Sequence, residues 1–169
     1  KKHLNLIAMI NVHMGAGIGV YTGILLSTFY ARPIWSSSIM GFVFLMSGLS
    51  SAAALVMLMA PRREKLMFSK MDMYFISLEG FATTLFIIGG ITGSENVRDA
   101  MYFLISGPYA PWFWVVFVMG GMIVPLMLET LEAIGRIRFT VLVPLLVLTG
   151  SLTLRFIIVY AGQAFPTFA

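Results

Sequence analysis

"IMGFVFLMSGLSSAAALVMLMA", Ile39 to Ala60, contains neither a charged residue nor a proline. A hydrocarbon core ~30 Å thick is crossed by ~20 mainly apolar residues rising ~1.5 Å each. This stretch is therefore long enough to span a bilayer. Working outward, comparable runs occupy 4–29, 71–91, 112–128 and 140–161. The first carries a histidine, the third two acids and the last an arginine, and the fourth is short and includes Pro125. Of 169 residues, 59% are hydrophobic and 11% charged, against roughly 25% charged in a soluble domain. The fold class is all-α: an integral membrane helical bundle of about five transmembrane helices, with residues 1–169 forming a single domain. No internal repeat, low-complexity tract or linker divides it.

Lys and Arg segregate between alternate loops. Lys1, Lys2, Arg62, Arg63, Lys65, Lys70, Arg136 and Arg138 fall on one side, and Arg32 and Arg98 on the other. By the positive-inside rule the first side is cytoplasmic, so this segment starts in the cytoplasm and ends outside. The outer loops are then 30–38 and 92–111, and the second is long enough for a short interfacial piece at 101–106. Tyr102, Tyr109, Trp112 and Trp114 near it read as an aromatic belt. The sequence begins at Lys1, with no initiator methionine and no signal-peptide pattern, which reads as a fragment of a longer protein.

Composition also excludes chemistry. Without cysteine the chain holds no iron–sulfur cluster and no disulfide. His3 and His13 lie ten residues apart on or beside one helix and cannot both ligate one haem iron. No metal cluster or phosphate loop stands out. The net charge of +4 comes from basic residues flanking apolar spans, so topology explains it better than nucleic acid does.

Small residues, among them Gly15, Gly17, Gly19, Ser47 to Ala54, Gly120 and Gly121, mark places where helix backbones approach closely. Ionisable and phenolic groups at depth are costly and are functional candidates by default. Counted from the cytoplasmic ends of the spans, His13 lies ~13 Å in, Glu79 ~12 Å, Tyr21 ~25 Å and Arg155 ~22 Å. His13 and Glu79 then share an inner layer, and Tyr21 and Arg155 an outer one with Ser47 and Ser50. His13, Gly17 and Tyr21 fall within ~80° on one face of the first helix. A histidine and a tyrosine there either bind a quinone carbonyl and pass protons, with Glu79 extending the relay, or are packed and satisfied locally. Arg155 cannot be neutralised. With no acid clearly at its depth, it either snorkels or pairs with a carbonyl, the serines, a headgroup or another polypeptide. Asp72, Glu129 and Glu132 lie at span ends, where solvation or capping accounts for them.

"VYTGILLSTFYARPIW", Val20 to Trp35, resembles a stretch of the NrfD/PsrC family, the membrane subunits of polysulfide-reductase-like complexes. "FLMSGLSSAAA", "GPYAPWFWVVFVMGGMIVPL" and "LRFIIVYAGQ" continue the resemblance in order. It implies that this chain is the C-terminal five-helix portion of a protein with roughly eight or more helices. It also implies that Tyr21, with Gly23 beside it, lines a quinone site near the outer face. The function implied is that of a quinone- or quinol-interacting membrane anchor subunit of a respiratory oxidoreductase. Such an anchor exchanges electrons between menaquinone or ubiquinone and a ferredoxin-like iron–sulfur subunit, itself joined to a molybdopterin catalytic subunit or a multihaem cytochrome. His13 and Glu79 would serve a proton path, and Arg155 a charge at the quinone site or in the structure. The expected location is the bacterial or archaeal cytoplasmic membrane. Two alternatives remain open: a segment of a secondary transporter or channel, and a purely structural anchor.

Overall fold

The structure, a computed structural model, describes residues 2–28 and 31–165. Helix α1 spans Lys2–Ser27, α2 Met40–Met59, α3 Arg62–Ile91 and α4 Glu95–Ile105. A π-helical segment, Trp112–Ile123, runs directly into α5, Val124–Ala133, and α6 spans Leu142–Ala164. Among the described residues five helices are long and apolar enough to cross a membrane, with the π-helical segment and α5 together making the fourth. Among the described residues the architecture is a helical membrane bundle without strands. The short α4 lies between the third and fourth spans.

Helix α2 is the hub, packing on α1, α3 and α6; α6 in turn packs on the π-helical segment, and α3 on α4 and α5. The dense interior is built of long, unbranched or aromatic side chains such as Met40, Phe44, Met57, Phe113 and Phe117, all essentially buried. Lipid supplies no hydrophobic drive between helices, so close approach of backbones decides which faces meet. Gly121 lies directly against Gly150, and Gly23 against Gly41. These contacts draw the π-helical segment onto α6 and α1 onto α2.

The third and fourth spans differ from the expected ones. Helix α3 begins at Arg62 rather than near residue 71, because a helix need not stop where the hydrocarbon does; Glu64, Lys65 and Lys70 ride on its first turns. The fourth span continues past Pro125 to Ala133. Proline removes one amide donor and crowds the carbonyl four residues back. Here Pro125 sits at the start of α5, immediately after the widened π-helical turns, which give its ring room. The interfacial piece is also longer than 101–106, starting at Glu95, with an acid in the first turn and Ala100, Met101 and Leu104 facing inward.

The loop after α1 locks the end of α6. The Arg32 guanidinium donates to the carbonyls of Gly162, Gln163 and Phe165 at 3.1, 2.9 and 2.9 Å. These carbonyls lie at a helix C-terminus, where they lack intrahelical donors and the dipole favours a cation. Trp35 donates from Nε1 to the Ile158 carbonyl at 2.8 Å, and its ring occupies the space that a side chain on Gly162 would need. Arg32→Ala is expected to lower the stability of the folded bundle by about 2 kcal/mol, read as a lower melting temperature in detergent. Gly162→Ala should lower it as well, by displacing the Trp35 ring.

Candidate functional site

Ser69, Asp72, Glu79 and Thr83 of α3 fall within ~80° around the helix axis, and all are buried. The face they form is turned into the bundle. Opposite it, α2 supplies Ser47 and Ser50, α6 supplies Ser151 and Arg155, and α5 supplies Glu129. A polar seam therefore runs along the bundle interior, in two parts.

The first part surrounds Arg155. Its Nη1 donates to the Ser151 carbonyl at 2.9 Å and to the Ser151 hydroxyl, and Ser47 donates to the Ser151 hydroxyl at 2.8 Å. The Glu79 carboxyl lies beside the Ser47 hydroxyl and within electrostatic reach of Arg155. The guanidinium also lies 5.9 Å from the centre of the Phe44 ring and fills the space over Gly48. Arg155 is half-buried and opens on its far side into a cleft of about 350 Å³ lined also by Phe156, Tyr160 and Gln163.

The second part is acidic. Ser50 donates to Asp72 Oδ1 at 2.5 Å, and the Asp72 and Glu129 carboxyls lie within hydrogen-bonding reach of one another. Both residues are 0% exposed. Asp72 Oδ2 and both Glu129 carboxylate oxygens meet no donor among the described residues. Further toward the loop, Glu132 Oε1 accepts the Thr140 amide at 2.9 Å.

The residues singled out from sequence fall in three places. Tyr21 is 62% exposed. It lies two positions from both Gly19 and Gly23, two glycines of α1 that meet α2, and so about 160–200° round the helix from them. Gly23 is turned inward against Gly41 and sets how closely α1 approaches. His13 is exposed on α1, its Nδ1 2.8 Å from the Met9 carbonyl. Glu79 is 4% exposed on α3. The structure does not bring His13 and Glu79 together. It brings Glu79 to Ser47 and Arg155 instead. The inner-layer placement of Glu79 is corrected by these neighbours, which put it in one layer with Ser47 and Arg155.

Solvation of Asp72 and Glu129 is likewise overturned, since both are wholly buried. The span containing Glu129 extends past it to Ala133, and the longer α3 carries Asp72 well inside the bundle. One signal in the sequence pointed to Asp72: its seven-residue spacing to Glu79 returns to the same helix face. None pointed to Glu129, whose neighbour comes from another helix.

Residues 1–167 match the family described as polysulphide reductase, NrfD. The chain belongs to this family. It is 30% identical over 168 residues to the C subunit of polysulfide reductase from Wolinella succinogenes, covering 90% of this chain and 52% of that protein. It is 33% identical over 156 residues to protein NrfD of Escherichia coli, covering 86% and 49%. A protein NrfD homolog of Haemophilus influenzae is 30% identical over 162 residues, covering 89% and 50%. No solved structure matches. The chain spans about half the length of these curated relatives. In this NrfD-family protein, the stretch Val20 to Trp35 does two structural jobs. Gly23 seats α1 on α2, and Arg32 with Trp35 fastens the far end of α6.

Proposed function

We propose that this NrfD-family chain is part of a quinone- or quinol-interacting membrane anchor of a respiratory oxidoreductase in the bacterial or archaeal cytoplasmic membrane. It exchanges electrons with a ferredoxin-like iron–sulfur subunit joined to a molybdopterin catalytic subunit or a multihaem cytochrome. The observation that carries the reading is the way α1 is held. Gly19 and Gly23 are consumed by α2, and among the described residues the side of α1 that carries Tyr21 is covered by no other helix, while His13 is exposed further along the same helix.

That face fits a planar carbonyl-bearing headgroup. The Tyr21 hydroxyl has no acceptor among the described residues, and a phenol in lipid gains from one. Gly17, one turn away, has nothing within 4 Å of the place a side chain would start, so the surface beside the ring is open. Menaquinone or ubiquinone, when bound, supplies the two-electron chemistry; the protein supplies binding and orientation. Tyr21 donates a hydrogen bond to the headgroup oxygen, and Gly23 fixes the rotation of α1 that presents it. The buried seam of Glu79, Arg155, Asp72 and Glu129 supports a part in proton movement. A purely structural anchor gains nothing from ionisable groups whose burial is costly.

Tyr21→Phe is expected to lower quinol-linked kcat/KM about tenfold, the worth of one neutral hydrogen bond. Assembly and the activity measured with an artificial dye should be unchanged. Unaltered quinol kinetics would remove Tyr21 from the site.

A further inference from the structure

The Asp72–Glu129 contact has no role in quinone binding and raises a problem of its own. Two ionised carboxylates are acceptors only, yet these two face each other with both residues fully buried. Among the described residues no basic side chain is hydrogen-bonded to either. Among the described residues Ser50 donates to Asp72 Oδ1 at 2.5 Å, leaving Asp72 Oδ2 and both Glu129 oxygens without a donor. Ser69, one turn before Asp72 on the same face of α3, is 1% exposed and its hydroxyl is also unpartnered. Glu79 acts electrostatically on Asp72 and Glu132 on Glu129, and both of these neighbours are acidic. Two like charges in contact inside the bundle, away from bulk solvent, repel strongly, and the arrangement is relieved when one group carries a proton and donates it to the other.

We propose that Asp72 and Glu129 share a single proton as a buried carboxylic acid–carboxylate pair, and that this pair is the carbodiimide-reactive site of the protein. Dicyclohexylcarbodiimide is an apolar reagent that partitions into the bilayer and attacks only the protonated form of a carboxyl group. The acid's proton goes to a carbodiimide nitrogen, the carboxylate oxygen bonds to the central carbon, and rearrangement leaves an N-acylurea. No oxidant or reductant is needed. The pair rests on the geometry of α3 and α5 alone, so it stands whether or not Tyr21 binds quinone.

The test treats native membrane vesicles containing the protein with dicyclohexylcarbodiimide and maps adducts by peptide mass spectrometry. One adduct per protein molecule is expected, on Glu129 or Asp72. Glu129→Gln and Asp72→Asn each keep a hydrogen bond across the contact, through the new amide, and each should reduce labelling of the pair to background. An infrared difference spectrum of wild type against Glu129→Gln, which needs no reagent access, should show the carbonyl stretch of one protonated carboxyl group. Absence of that band would mean both groups are ionised and would overturn the proposal. So would protection from labelling by sodium ions at constant pH, which would mark the contact as a cation site instead.

Discussion

Gly121→Leu is expected to stop the bundle from closing, with protein accumulation in the membrane falling to a small fraction of wild type. A side-chain carbon at position 121 would lie 2.5 Å from the Gly150 Cα, closer than any real contact, and the obstacle is backbone rather than a side chain that can swing aside. Overpacking a core costs about 1–3 kcal/mol when neighbours can adjust. Here the only adjustment is to separate the π-helical segment from α6, one of the most extensive helix pairings in the fold. In lipid, that separation forfeits the close packing that holds helices together. Gly89→Leu is the matched control, because Gly89 is exposed and nothing lies within 4 Å of the place where its side chain would start, and it should accumulate normally. Equal loss in both variants would show that leucine is tolerated poorly for reasons other than the Gly121–Gly150 contact. Quantitative immunoblotting of membranes, with thermal unfolding of whatever protein is recovered, provides the measurement.

The second large effect concerns Arg155. Arg155→Met removes the cation beside Glu79 and the donor that Ser151 accepts, leaving a carboxyl that is 4% exposed with its Oε1 unpartnered. Breaking a buried pair on one side costs about 3–5 kcal/mol, because the remaining charge stays behind uncompensated. Arg155 is half-buried and opens to the cleft at its side, so a loss of about 3 kcal/mol is expected. Glu79→Gln introduced into Arg155→Met removes the stranded charge and should recover more than half of that loss. The double-mutant cycle in detergent reads the coupling between the two residues. A double variant no more stable than Arg155→Met would show that the guanidinium acts through Ser151 and Phe44 and not through Glu79.

Several features of the molecule could be read before any coordinates. Uncharged runs as long as Ile39 to Ala60 have one low-energy solution in a bilayer, because every backbone amide must be satisfied within its own segment. The helices therefore followed from hydropathy alone. Their number followed too, since about five spans were expected and the described residues hold five helices long and apolar enough to cross a membrane. The family also followed, through four stretches whose order and residues carried the resemblance now supported across residues 1–167. Arg32, counted only as an exception to the positive-inside pattern, has a structural explanation as the cap on the carbonyls ending α6.

Depth and neighbours were another matter. Counting residues from the edge of an apolar run assumes that the helix and the hydrocarbon begin together. The start of α3 at Arg62 breaks that assumption, and the neighbours of Glu79, not the count, put it in the layer of Arg155. The pairing of Asp72 with Glu129 joins helices far apart in sequence, and no periodicity within one helix could announce it.

Local physics, acting on each segment alone, was thus enough to make the spans and to supply small residues where helices meet. Which buried charge meets which was settled only when glycine-to-glycine contacts, Gly23 with Gly41 and Gly121 with Gly150, fixed the separations and rotations of whole helices. In a medium where apolar faces are interchangeable, helix orientation depends on shape and on the few polar groups that need partners, and both are properties of the assembled bundle.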